Sequence, residues 1–144
     1  MSRIINLENA GKERTRLLRC IILAIRELGK QSDVNDVTRD LVAFIGASLL
    51  QINQLIDVSV TAWEKRGYWL KADRFRMEWI WTADTGQKMS VSLKEEDWAK
   101  IAVLIGKTAE KLKEVKVPQN HKLGAPWEGA WKAGAWISAA EGTK

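Results

Sequence analysis

The sequence predicts an all-α protein, a small bundle of about four helices around a hydrophobic central helix. Two segments, residues 17–28 and 98–112, place apolar residues at three- and four-residue steps, and residues 41–60 are apolar around most of a helical circumference. The length of 144 residues is close to the commonest size of one domain. We therefore expect a single helical domain over 1–144, in which 116–144 form a loop and a tryptophan-rich C-terminal segment.

The first predicted helix starts near Asn9, whose side chain can cap a helix N-terminus, and ends before Gly29. One face of this helix is apolar and would pack against the body of the protein: Leu17, Leu18, Ile21, Ile25 and Leu28. The opposite face is basic, and we interpret it as a solvated outer surface rather than a dedicated binding surface: Lys12, Arg16, Arg19 and Arg26.

The second predicted helix is the central one. Ser32 or Asp33 can cap it, and its apolar residues cover much more than half of its circumference. Such a helix must be covered on several sides, which a bundle achieves. Polar residues at 51, 53 and 54 interrupt its apolar stretch, which is short and polar for a span of about 20 apolar residues, so we do not expect a membrane as partner.

The tryptophan-rich, basic segment Trp63–Trp81 has two interpretations. As a helix, it places two apolar stripes on its surface, one of Tyr68, Ala72, Phe75 and Trp79, the other of Ala62, Trp69, Asp73, Met77 and Ile80. As a strand, it alternates apolar and polar residues, and a second alternation follows the Asp-Thr-Gly at 84–86. That alternative is an α+β fold with a β-hairpin near residues 74–93. We favour the helix because the segment has no proline and the helical stripe is cleaner.

The remaining elements follow from capping signals. Ser92 and Glu95 fit a capping box for a helix that runs to about Val115, and Pro118 then begins a polar loop. Pro126 can open a short terminal helix that carries three tryptophans. Glycines within that helix weaken it, so we expect it to depend on packing against the body or a partner.

Catalytic and metal sites have few candidate residues in this sequence. His121 is the only histidine and Cys20 the only cysteine, and neither a nucleophile elbow nor a glycine-rich phosphate-binding loop is present. The adjacent carboxylates at 95–97 are explained by favourable interaction with a helix dipole. We therefore predict a protein that is not an enzyme, with no catalytic residue, metal or cofactor. The lone cysteine and the absence of a secretory signal favour the cytoplasm.

Eight tryptophans against two phenylalanines and one tyrosine is an unusual aromatic composition. Some of these rings can simply fill the core, but tryptophan is also enriched at protein interfaces, and two apolar stripes exceed what one small bundle covers. Our leading hypothesis is assembly with a second copy of the chain (a homo-oligomer) or with another protein. The candidate partner-binding residues are Trp127, Trp131, Trp136, Tyr68, Phe75 and Trp79.

Nucleic-acid binding is the alternative function. The net charge is +5, and residues 62–76 hold five basic and two acidic side chains, a local charge of +3. Basic side chains would contact phosphates while exposed aromatic rings stack on bases, and in the hairpin alternative the segment would resemble the wing of a winged-helix domain. The candidate phosphate-contacting residues are Lys65, Arg66, Lys71, Arg74 and Arg76.

The run from Trp63 to Arg76, together with the Gly-Ala-Pro-Trp at 124–127, resembles a sequence pattern of short helical proteins of green non-sulfur bacteria. The resemblance covers most of the chain. It implies an α-helical fold and a bacterial origin, and it brings no activity or ligand residues with it.

Overall fold

The structure, a computed structural model, describes residues 7–141, with side chains from Asn9 onward. Within this range it contains seven helices and no strand. They are α1 (Leu7–Leu28), α2 (Asp36–Lys65), α3 (Trp69–Trp79), α4 (Trp81–Glu95), α5 (Trp98–Lys111), α6 (Ala130–Ala133) and α7 (Ile137–Glu141). The all-α prediction is confirmed, and the β-hairpin alternative for residues 74–93 is wrong.

Helix α2 is the centre of the bundle, as its all-round apolar pattern predicted. It contacts α1, α3, α4 and α6, while α4 also packs against α5 and α7. Its buried side chains join those of the other long helices in one core cluster: Leu41, Ile45, Leu49, Ile52, Leu55, Ile56 and Val60. Burial on several sides explains why so much of this helix is apolar.

Helix α2 also has the length and composition of a membrane span, the one such helix among residues 7–141. Its most apolar 18-residue window has a mean hydropathy of 1.6, and 56% of that window is buried inside the fold. The core helix of a bundle meets the same criteria.

Two predicted helix starts were misplaced by a few residues. Helix α1 begins at Leu7, so Asn9 lies within it rather than capping it. Helix α2 begins after Asn35, whose backbone is extended and whose side-chain oxygen accepts the Thr38 N–H at 3.0 Å. Asn35 is therefore the cap, instead of Ser32 or Asp33. At the other end of α1 the prediction is confirmed, because the helix stops at Leu28, before Gly29.

The turn between α4 and α5 corrects the predicted capping box. Helix α4 continues through Ser92 to Glu95, and the left-handed Glu96 (φ 52°) ends it. Asp97 then caps α5 by accepting the Lys100 N–H at 3.1 Å. Ser92 is buried in the last turn of α4, where its carbonyl accepts the Asp97 N–H at 2.9 Å. Helix α5 ends at Lys111, before the predicted Val115.

Helices α2 and α4 approach each other closely at two glycines. A Cβ on Gly86 would lie 3.0 Å from the Gly46 carbonyl oxygen and 2.9 Å from Leu50 Cγ. The Asp-Thr-Gly that suggested a hairpin turn is thus in the interior of α4, where Gly86 makes room for α2. The alternating residues 74–81, which suggested the first strand of the hairpin, belong instead to the end of α3 and the start of α4. Ile80, between the two helices, also has a helical backbone (φ −61°, ψ −26°).

Candidate interaction surfaces

The two apolar stripes predicted for α3 have different environments. In the first stripe, Ala72 is fully buried, and the half-buried Phe75 meets Trp63 edge to face with ring centroids 4.9 Å apart. Trp79, also half-buried, stacks against Trp81 at 6.4 Å. This stripe attaches α3 to the bundle, and of its four members only Tyr68 is largely exposed.

The second stripe faces solvent except for Ala62, which lies half-buried in α2 because the chain turns between α2 and α3. Trp69, Met77 and Ile80 are 64%, 66% and 54% exposed, and the neighbouring Leu70 is 63% exposed. Asp73 lies among them and forms an ion pair with Arg76 at 3.8 Å. We call the surface of Trp69, Leu70, Asp73, Met77 and Ile80 the α3 face. The sequence predicted this stripe, but none of the residues of the α3 face was among the predicted partner-binding residues. Of those predicted residues, only Tyr68 is largely exposed, and it is the sequence neighbour of Trp69.

An open groove of about 760 Å³ lies on another side of α3, toward α1. The residues that line it are mainly aromatic and basic, and we call it the aromatic groove: Trp63, Gly67, Tyr68, Trp69, Leu70, Lys71, Arg74, Phe75 and Glu78. The Lys71 ammonium lies 4.4 Å from the centroid of the Trp63 ring, a cation–π contact. The groove therefore combines ring faces with positive charge.

The five predicted phosphate-contacting residues are not equivalent. Lys65, Arg66, Lys71 and Arg74 are exposed, and the last two line the aromatic groove. Arg76 is half-buried and donates to Glu64 at 3.0 Å across the turn between α2 and α3. Arg76 thus ties α3 to the end of α2, and its charge is already matched by carboxylates.

A second groove, of about 830 Å³, lies between α1 and the loop 118–123. Four basic side chains of α1 line it, Lys12, Arg14, Arg16 and Arg19, so we call it the basic groove. Arg19 Nε donates to the Lys116 carbonyl at 3.2 Å and fixes the start of the loop. The sequence pattern indicated this basic face of α1 but not the loop that closes over it.

Arg14 connects the two grooves. Its guanidinium lies 5.1 Å from the centroid of the Phe75 ring, and Phe75 lines the aromatic groove. Burial lowers the pKa of the Arg14 guanidinium from its usual value, and the nearby Glu78 carboxylate acts in the opposite direction. The basic groove and the aromatic groove therefore meet at this stacked pair.

The C-terminal tryptophans pack onto α2 and α4. Trp136 is only 6% exposed and its Nε1 donates to the Trp131 carbonyl at 3.1 Å, so its ring belongs to the protein's own core. Trp127 and Trp131 are half-buried, and the Arg39 guanidinium lies 5.3 Å from the Trp131 ring centroid. The Asp40 carboxylate accepts the N–H groups at 129 and 131, at 3.0 and 2.9 Å.

The single cysteine and the single histidine of the sequence have different environments. Cys20 is buried, and desolvation raises the pKa of its thiol although Arg16 acts against this. His121 lines the basic groove and its Nδ1 accepts the Leu123 N–H at 2.9 Å. Within residues 7–141, no group of three or more histidine, cysteine or carboxylate side chains is arranged to hold a metal ion.

Comparison with known proteins supplies no family for this arrangement. No protein-family model, no curated protein and no solved structure gives a significant match to the chain.

Proposed function

We propose that this chain is a non-enzymatic helical protein that acts by assembly, pairing with a second copy of itself through the α3 face. The observation that carries the proposal is the exposure of four large apolar side chains on one side of a well-packed helix. The other side of α3 is attached to the bundle, so the face is presented on a fixed support.

The size of the α3 face fits one half of a dimer interface. Its four apolar side chains are each more than half exposed and together present on the order of 500 Å². A standard interface buries about 800 Å² on each partner, of which roughly 60% is apolar, again about 500 Å². Pairing two α3 faces would therefore remove the largest exposed apolar side chains of both copies from water.

The charges along α3 favour a two-fold, antiparallel arrangement. If the axis passes between Asp73 and Arg74, each Asp73 lies opposite Arg74 of the second copy. The same register places each Leu70 opposite Met77 of the second copy. Every contact is made twice, as in any isologous interface, so the carboxylate in the middle of the apolar face gains an opposite charge.

Light scattering tests the proposal directly. The wild-type chain is expected to have about twice its chain mass of 16.3 kDa at micromolar concentration. Met77→Asp places a charge in the middle of the face and is expected to give a monomer. Val103→Asp is the matched control, because Val103 is exposed to a similar extent (58%) on α5 and lies outside the face.

Both substitutions change exposed residues, so neither should alter the stability of the monomer by more than about 0.5 kcal/mol. A wild-type chain that stays at 16.3 kDa up to millimolar concentration would overturn self-assembly. Equal loss of association in both variants would show that the contact lies elsewhere.

A further inference from the structure

The basic groove and the aromatic groove adjoin each other on α1 and α3, and we call the two together the track. The two meet at Arg14, which lines the first groove and stacks on Phe75 of the second. From Gly11 to Arg19 the first groove follows α1 for about 12 Å, at 1.5 Å per residue. The track runs along the side of α3 that carries Lys71 and Phe75, away from the centre of the α3 face.

The α1 part of the track is suited to an anion. Four basic side chains line it and no carboxylate does, and Glu13 of the same helix accepts two bonds from Arg16 at 2.8 Å. His121 adds a donor: because its Nδ1 accepts the Leu123 N–H, the proton of the neutral ring is on Nε2. The loop 118–123 thus encloses the cations in a groove rather than leaving them on an open helix face.

The α3 part of the track adds ring faces to positive charge. Tyr68 is 54% exposed in the aromatic groove, which the half-buried Trp63 and Phe75 also line, and the Lys71 ammonium lies over the Trp63 ring. Aromatic rings next to a row of cations are how proteins hold single strands, because each base offers a face for stacking while phosphates follow the charge. A duplex keeps its base faces stacked on each other, so the rings favour unpaired bases.

We infer that this track binds single-stranded nucleic acid, with phosphates along Lys12, Arg14, Arg19 and Lys71 and at least one base stacked on Tyr68. The concave shape distinguishes this ligand from an anionic membrane, whose flat surface would meet projecting side chains rather than a groove. The track and the α3 face share Trp69 and Leu70 at the edge of the aromatic groove. The side chains proposed to hold the strand lie outside the α3 face, so the inference does not depend on dimer formation.

Fluorescence anisotropy with a labelled oligothymidylate of about 20 nucleotides tests the inference. Affinity should fall steeply between about 50 and about 200 mM NaCl, as counterion release requires. Lys12→Ala with Lys71→Ala removes one cation from each groove. The slope of log K against log salt should decrease by about 1.4, two contacts at roughly 0.7 each for a single strand.

Two further variants separate the contributions. Lys100→Ala with Lys107→Ala removes the same charge from exposed lysines of α5 that line neither groove, and the slope should stay unchanged. Tyr68→Ala should weaken binding about tenfold by removing a stacking surface, with the slope preserved. Circular dichroism melting confirms that each variant is folded.

Several results would overturn the inference. These are the absence of binding at low salt, an equal loss of slope in the α5 control, and tighter binding of a duplex of the same length than of the single strand. Binding to vesicles that contain phosphatidylserine, without binding to the oligonucleotide, would assign the track to a membrane surface instead.

Discussion

Replacing Gly86 by alanine tests the close packing of α4 on α2, which positions α3 and its surfaces. The new Cβ would lie 2.9 Å from Leu50 Cγ, 3.1 Å from Leu49 Cβ and 3.0 Å from the Gly46 carbonyl oxygen. The leucine side chains can shift, but the carbonyl belongs to the backbone of the central helix. The two helices must therefore move apart by a few tenths of an ångström.

The expected magnitude follows from two opposing effects. Overpacking of this kind costs about 1–3 kcal/mol, while alanine gains about 1 kcal/mol over glycine in a helix interior. Because the contact involves two neighbours and backbone, we expect a net loss of about 1–2 kcal/mol in the free energy of unfolding. Gly106→Ala in α5 is the matched control, since a Cβ there meets nothing within 4 Å. It should gain about 0.5–1 kcal/mol.

Thermal unfolding followed by circular dichroism measures this difference. For a chain of this size, 1 kcal/mol shifts the melting temperature by about 3 °C, so the two variants should differ by roughly 5–9 °C. A Gly86→Ala protein that melts at or above the wild type would refute the close contact. A Gly106→Ala protein that is destabilised would refute the assumed gain in helix propensity.

Two other changes examine the C-terminal segment and the buried thiol. Asp40→Ala removes the carboxylate that accepts the Gly129 and Trp131 N–H groups, so both amides should exchange with solvent at least about tenfold faster. Unchanged exchange of these amides would contradict the contact. Cys20 is buried and burial raises the pKa of its thiol, so a disulfide reagent at neutral pH should label it far more slowly in the native protein than in denaturant. Rapid labelling of the folded chain would show that this part of α1 opens easily.

Periodicity was sufficient to predict the central helix, the first stripe of α3, and the second stripe except for Ala62, which lies in α2. The all-round apolar pattern of α2 required cover on several sides, and the structure provides it. Helix boundaries were less predictable, because they depend on which of several polar residues near a turn adopts the capping geometry. Asn35 caps α2 although Ser32 and Asp33 lie close by, and Ser92 is buried in α4 because the chain turns later, at Glu96.

The surfaces were only partly predictable, because they depend on contacts between distant residues. Nothing local to Arg19 indicates that it donates to the Lys116 carbonyl, just before the loop that lines the basic groove. Trp136 was chosen as a partner-binding residue for its type, yet it is buried beside Trp131 in a segment that Asp40 anchors. Of the two stripes on α3, the sequence could not show which one would face α2.

Charge reversal on the α3 face, followed by light scattering, is the most direct test of assembly through this face. Asp73→Arg and Arg74→Asp each place like charges opposite one another in the proposed two-fold pairing, and the combined variant restores opposite charges. We predict masses near 16.3 kDa for each single variant, and about twice that mass for the wild type and the combined variant. Single variants that still associate, or a combined variant that remains monomeric, would contradict assembly through the α3 face.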